Sequence, residues 1–345
     1  MWQVIGHERA VSLLKHSIES NALSHAYLLI GPQHVGKMTL AINLAQALNC
    51  EAEDKPCLQC DSCLKIAAGN HSDVQVIGLD YNEDEDAERK LIRNEQIDGI
   101  LHDASLPPFE GKNKVFIIDG AELLSIGAAN RLLKTLEEPE ARVTFVLLAA
   151  DETRLLTTVV SRCQRIELQP MSPAEETQAL IETQGIDAGQ ARLLAGLSHG
   201  CPGWAISAIS DGKILEQHDN ELNQILDIIK GGYEERFAYA ARIAGGYSQN
   251  RRAVYDTLER WRDFWRDLML VKLGCEDMIT NIDRKDGLLK MSANYSLTKI
   301  RNFIRSIESA GIQLKQNVNA RLALEVLMLD IPGEEAKSLP VTPGA

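Results

Sequence analysis

The chain has 345 residues, 45% of them hydrophobic and 25% charged, enough for two or three domains with cores of their own. A formal net charge of -13 excludes a broad basic surface for nucleic acid, so any contact with DNA has to be local or shared with more basic partners. No apolar run approaches the roughly eighteen residues needed to span a membrane, and Met1-Trp2-Gln3-Val4 leads into a charged helical pattern rather than a secretory leader, which predicts a cytoplasmic protein.

Ile5, Ala10, Val11, Leu13, Leu14, Ile18 and Leu23 recur at near-helical spacing and predict a helix within residues 5–24. Leu28-Leu29-Ile30 reads as a short strand, followed by Gly31-Pro32-Gln33-His34-Val35-Gly36-Lys37 and then by Leu40, Ile42, Leu44, Ala45 and Leu48 at helical spacing. Strand, glycine loop and helix in that order form a phosphate-binding loop: backbone N–H groups wrap phosphate oxygens, the helix N-terminus adds positive potential, and Lys37 reaches the terminal phosphates. The candidate nucleotide-binding residues are therefore Gly31, Pro32, Val35, Gly36, Lys37, Met38 and Thr39. Met38 stands where a Ser or Thr would hold Mg²⁺, and Thr39 lies about 100° further round the helix, so it does not simply substitute. The defect favours binding over hydrolysis and leaves open a Gly-rich turn that binds nothing.

Four of the seven cysteines, Cys50, Cys57, Cys60 and Cys63, crowd into one short stretch. In a cytoplasmic chain that spacing reads as a metal site, with Zn²⁺ held by four thiolates as a structural staple; buried free thiols and an iron–sulfur cluster are the alternatives. Val74-Gln75-Val76-Ile77 predicts a strand, and the acidic run Asp80 to Asp86 a solvated loop. A helix from Asn94 carries Ile97, Ile100 and Leu101 and halts at Pro107-Pro108. Lys114 to Asp119 is a buried strand ending on an acid, and Asp119 there would hold Mg²⁺ or its water shell, or else cap a loop. An amphipathic helix over 130–139 stopped by Pro139, a buried strand at 144–150 and a last strand at 164–168 follow. Strands alternating with helices predict an α/β fold with a parallel sheet and helices on both faces. Beyond Pro173 the strand signal vanishes: short helices run over 174–209, and an all-helical region extends from Asp211-Gly212 to about 329. There, Trp261, Phe264, Trp265, Leu268 and Met269 predict core or subunit contact rather than a base-stacking face. The Pro/Gly/polar tail is expected to be disordered.

Several of these pieces carry a family resemblance: Ser24-His25-Ala26-Tyr27-Leu28, the loop, the four-cysteine module, Val115-Phe116-Ile117-Ile118-Asp119, Ala129 to Pro139, and Ser161-Arg162-Cys163. Spread over about 150 residues in the family's order, they resemble the AAA+ clamp-loader subunits of bacterial DNA polymerase III, the delta-prime branch most closely. The resemblance implies a nucleotide-binding P-loop domain over 1–170 with a zinc module at 50–63, a helical lid over 171–211, a helical collar over 212–331 and a tail over 332–345. It implies partners too: gamma/tau and delta subunits in a hetero-pentamer, with sliding clamp and primer-template DNA met through that complex, and no membrane.

The hydrolysing members follow the acid after the strand with a glutamate; here that slot is Gly120, with Glu122 two residues on. They also supply a lid arginine, which His199-Gly200-Cys201-Pro202-Gly203-Trp204-Ala205 lacks. Together with Met38, these departures imply a stator that does not hydrolyse ATP, with ATP, ADP or nothing in its loop. Arg162 is implied as the surviving catalytic part, an arginine finger acting in trans on a neighbour's γ-phosphate; the bland reading is a local ion pair. Two other functions compete: an active gamma/tau-like ATPase in which Thr39 and Glu122 compensate, and a sequence-blind DNA-binding module, which the acidic balance disfavours.

Overall fold

A computed structural model describes residues 2–79, 91–316 and 318–333. The acidic run 80–86 and residues 334–345 of the tail lie outside the described residues. The chain folds into two compact units, Met1–Ala191 with Ser198–Ile206, and Arg192–Leu197 with Ser207–Ala345.

Among the described residues five strands build the first unit: β1 (Ala26–Ile30), β2 (Val74–Ile77), β3 (Lys114–Asp119), β4 (Val143–Ala149) and β5 (Gln164–Glu167). They form one parallel sheet in the order β2-β3-β4-β1-β5. Runs such as Ala26–Ile30 and Val143–Ala149 are apolar at nearly every position because a parallel sheet is covered on both faces. Alternation then sorts them. Tyr27, Leu29, Val115, Ile117, Val146 and Leu148 enter one core, whereas Leu28, Ile30, Phe116, Ile118, Phe145 and Leu147 enter the other. Phe116 and Phe145, in register on β3 and β4, stack with ring centroids 5.3 Å apart.

Helices α1 (Glu8–Glu19) and α2 (Lys37–Asn49) cover the first face through Leu14, Leu40, Leu44 and Leu48. A seven-residue helix α3 (Asp61–Ala67) follows α2. The second face is covered by α4 (Asn94–Ala104) and α5 (Ile126–Glu137) through Ile97, Ile100, Leu132 and Leu136. Helix α5 starts four residues before the predicted segment because Ser125 caps it, its Oγ accepting the Ala128 N–H at 3.1 Å. The short α6 (Thr157–Val160) leads into β5. Helix α7 (Pro173–Gln184) opens on a capping box of Ser172 and Glu175 with Pro173 in its first turn, and ends at Gly185 in the left-handed conformation, φ 66°. Helices α8 (Ala188–Leu197) and α9 (Pro202–Ser210) complete the segment between the sheet and the helical region.

The second unit is helical: α10 (Lys213–Lys230), α11 (Tyr233–Gly245), α12 (Arg251–Lys272), α13 (Lys285–Ser292), α14 (Leu297–Lys315) and α15 (Ala320–Leu329). Its centre is aromatic. Trp261 and Trp265 of α12 pack edge-on against Phe303 of α14, and the Trp261 Nε1–H donates to the Tyr239 hydroxyl at 3.0 Å. Asp267, fully buried in the same helix, accepts the backbone N–H groups of Thr280 and Asn281 at 2.9 and 2.8 Å. The described fold is thus an α/β P-loop architecture followed by an all-α region. No described helix is long and apolar enough to cross a membrane.

Candidate functional site

Sheet order places β1 between β4 and β5, so the loop that leaves Ile30 opens at the carboxyl ends of neighbouring strands, the usual ligand crevice of such sheets. Gly31 is required sterically, since a Cβ there would run into the Leu168 carbonyl oxygen at the end of β5. Gly36 adopts φ 110°, a conformation suited to glycine, and hands the chain to α2. Lys37 follows and is nearly buried. Its Nζ donates to the Gly31 and Pro32 carbonyl oxygens at 2.6 and 2.7 Å, so the ammonium is coordinated by its own loop. Met38, in the first turn of α2, packs partly buried against the core, and Thr39 is exposed.

The structure brings Lys37 and Asp119 together on one cleft of about 290 Å³, whose lining also includes Gln33, Gly120 and Glu122. Asp119 sits exposed at the end of β3. Glu122 accepts the Ala150 N–H through Oε1 at 3.1 Å, while its Oε2 is buried and unpartnered among the described residues. Val35 is held from outside the motif by the His7 ring, whose Nε2 lies 2.9 Å from the Val35 carbonyl oxygen. The Gly203 N–H at the start of α9 donates to the His34 carbonyl oxygen at 2.9 Å, and a Cβ on Gly203 would come within 2.7 Å of that oxygen. Residues 198–206, which approach the loop in this way, contain no arginine.

Beside them Glu176 of α7 is fully buried, its Oε1 accepting from the Ser198 hydroxyl at 2.7 Å. Burial pushes its carboxyl up to about 7, against hydrogen bonds from Ser198 and Gly200 and the pull of His199.

Arg162 occupies a different place and does not line the Lys37 cleft. It precedes β5, and the first β5 residue, Gln164, pairs with Tyr27 near the start of β1, whereas the loop leaves β1 at its end. The two sites therefore lie toward opposite ends of a strand roughly 13 Å long. The Arg162 Nη1 donates to the Thr158 carbonyl at 2.9 Å and to the Ser161 hydroxyl, and its Nη2 pairs with Glu137, the last residue of α5.

Cys50, Cys57, Cys60 and Cys63 converge, with all four Sγ atoms within 4.8 Å of one another. A tetrahedral Zn²⁺ with sulfurs at about 2.3 Å sets them ~3.8 Å apart, so the cluster fits that ion with small closure. The Gln59 and Cys60 backbone N–H groups draw the Cys57 thiol down to about 6, as an anionic metal ligand requires, while burial pushes Cys63 up to about 12. Four polar side chains that the sequence did not single out fix this module and the turn before β3. Gln46 donates to the Cys63 carbonyl at 2.9 Å and Lys112 to the Cys50 carbonyl at 2.7 Å. Asn49 Oδ1 accepts the Lys112 and Asn113 N–H groups at 2.8 and 3.0 Å. Asp73 accepts the Phe109, Glu110 and Gly111 N–H groups at 2.8, 2.8 and 2.6 Å. Against the upward push of burial, these donors hold the Asp73 carboxyl below its usual range.

Comparison with known proteins gives two family matches: "DNA polymerase III, delta subunit" over residues 6–172, and "DNA polymerase III, delta subunit, C terminal" over 253–332. DNA polymerase III subunit delta' of Bacillus subtilis is 28% identical, the alignment covering 93% of this chain and 94% of that one. Subunit tau of the same organism is 26% identical over 95% of this chain and 60% of its own length. Subunit tau/gamma of Haemophilus influenzae is 27% identical over 99% and 51%. Among solved structures, the Thermotoga maritima RuvB Holliday junction branch migration motor is 17% identical, covers 92% of this chain and 83% of that chain, and has a TM-score of 0.40.

Proposed function

We propose, on the premise that the chain belongs to the DNA polymerase III delta-subunit family of clamp-loader proteins, that it is a delta-prime-like stator whose own nucleotide site does not turn over. The observation that carries this reading is Lys37, whose ammonium is satisfied by the carbonyls of Gly31 and Pro32 in a loop where Met38 replaces the metal-holding hydroxyl. Phosphoryl transfer is catalysed almost entirely by positioning and charge neutralisation, so Met38, Gly120 and the missing lid arginine each remove part of what the reaction needs. Residues Gly31, Pro32, Val35, Gly36, Lys37, Met38, Thr39 and Asp119 remain suited to holding ATP or ADP without hydrolysing it.

In this reading Arg162 acts in trans. Its place toward the far end of β1 from its own loop supports a role at a neighbour's γ-phosphate, where a fixed guanidinium is worth about 10³–10⁵ in rate. The partners are gamma/tau and delta subunits in a hetero-pentamer that loads the sliding clamp onto primer-template DNA. Residues 1–170 form the nucleotide domain, 171–211 the lid and 212–331 the collar. Cys50, Cys57, Cys60 and Cys63 hold one structural Zn²⁺.

A hydrolysing, gamma/tau-like reading draws on one observation, that Glu122, a residue lining the Asp119 cleft, has a buried Oε2 without a partner among the described residues. Turnover separates the two. The purified chain should hydrolyse ATP no faster than Lys37→Ala, whereas Arg162→Ala and Arg162→Lys should assemble normally and lower the ATPase rate of the complete complex. Steady turnover by the isolated chain that Lys37→Ala abolishes would establish the hydrolysing reading instead.

A further inference from the structure

Helix α5 ends on Glu137, an unfavourable place for a carboxylate, because the unpaired carbonyls of a helix C-terminus carry partial negative charge. The Arg162 guanidinium meets that carboxylate from the turn after α6 and is gripped on its other side by the Thr158 carbonyl and the Ser161 hydroxyl. The pair is solvent-accessible, with side-chain exposures of 33% for Arg162 and 50% for Glu137, so it adds little to folding stability. What it does fix is direction. An arginine side chain has much rotamer freedom to lose, and a planar guanidinium has five N–H donors, more than these contacts use.

We infer that Glu137 is a positioning residue for Arg162, holding its guanidinium preorganised for the γ-phosphate bound by a neighbouring subunit; this rests on the trans reading of Arg162 given above. The carboxylate and the two oxygen acceptors keep Nη1 and one side of Nη2 inside the chain, leaving Nε–H and the other side of Nη2 to meet phosphate oxygens. Solvent exposure keeps the pair weak enough that Glu137 does not outcompete a multiply charged phosphate. A charge aimed before the transition state forms incurs no reorganisation when it forms, so the gain falls on kcat and not on nucleotide affinity.

The test uses the assembled complex with the P-loop lysines of all other motor subunits substituted, so that only the site facing this chain turns over. Native mass confirms assembly, and kcat and KM for ATP are measured for wild type, Glu137→Ala, Glu137→Gln, Arg162→Ala and the double Glu137→Ala/Arg162→Ala. Glu137→Ala should lower kcat about three- to tenfold, the scale of losing part of one side chain's ordering, with KM unchanged. Glu137→Gln, which keeps the shape and one acceptor, should fall between it and wild type. The double variant should match Arg162→Ala alone. Wild-type kcat in both Glu137 variants beside a slow Arg162→Ala would overturn the inference and leave the trans reading standing. So would a further loss from Glu137→Ala when Arg162 is already absent, which marks a structural role. Wild-type kcat in Arg162→Ala would refute the trans reading itself, and the inference with it.

Discussion

Two short segments of the first unit, 31–37 and 50–63, each take a charged ligand in the proposed function, yet they differ in what they demand. In the first, the cation is supplied by the chain: the Lys37 ammonium fills the concave side of the loop by bonding the carbonyls of Gly31 and Pro32. In the second, four sulfurs converge within 4.8 Å of one another, and the Lys112 ammonium beside them bonds the Cys50 carbonyl. A loop whose ligating groups are of both signs settles without a guest. One built from four thiolates, all of one sign, needs an ion to be stable in its folded shape.

Metal removal tests the contrast most severely. Structural zinc contributes on the order of 10 kcal/mol in small Cys-rich modules, so chelation should raise hydrogen exchange across 50–63 while β1, β3 and β4 stay protected. Elemental analysis should give one zinc per chain and a colourless protein. Iron, or full protection of 50–63 after complete chelation, would place the second loop beside the first as self-sufficient.

A smaller effect is expected at Glu176, buried on α7 against the Ser198 hydroxyl. Its carboxyl titrates near 7 in the fold, above the usual glutamate value, so the fold favours the protonated form. The stability this provides is complete below about pH 4.5 and is lost as the pH rises to about 7, a swing of about 3 kcal/mol. Glu176→Gln should therefore match wild type near pH 4 in chemical denaturation and exceed it at pH 8. Equal stabilities at both pH values would show that Glu176 is not strained.

The smallest change is expected for Lys37→Ala. It strips the Gly31 and Pro32 carbonyls of their donor and should cost about 1–2 kcal/mol without any nucleotide present, read as a lower Tm. An unchanged Tm would mean that the loop does not rely on its own lysine, and the contrast with the cysteine module would weaken.

The sheet was legible in the sequence because a buried parallel strand needs an unbroken apolar run, and Lys114–Asp119 satisfies that as plainly as Ala26–Ile30. Helix α3 was not, since seven residues are too few to display a helical period. The phosphate loop could be found by motif, but the inward fold of Lys37 could not, because it depends on carbonyls that every residue carries. Asn49 and Asp73 look like ordinary loop residues until the backbone of 109–113 comes round to meet them. Arg162 was recognisable from its neighbours in sequence; its distance from its own loop, and its pairing with Glu137, follow only from the order of the strands.

The distribution of tryptophan gives the protein two optical channels. Trp261 and Trp265 are sealed in the aromatic centre of the helical unit and should emit at short wavelength, reporting on that core alone. Trp2, packed against a core of the first unit, and Trp204, next to the Gly203 contact with His34, are partly accessible. Replacing Trp261 and Trp265 with phenylalanine would leave fluorescence from the first unit alone, and the reciprocal pair of substitutions would leave a signal for unfolding of the helices.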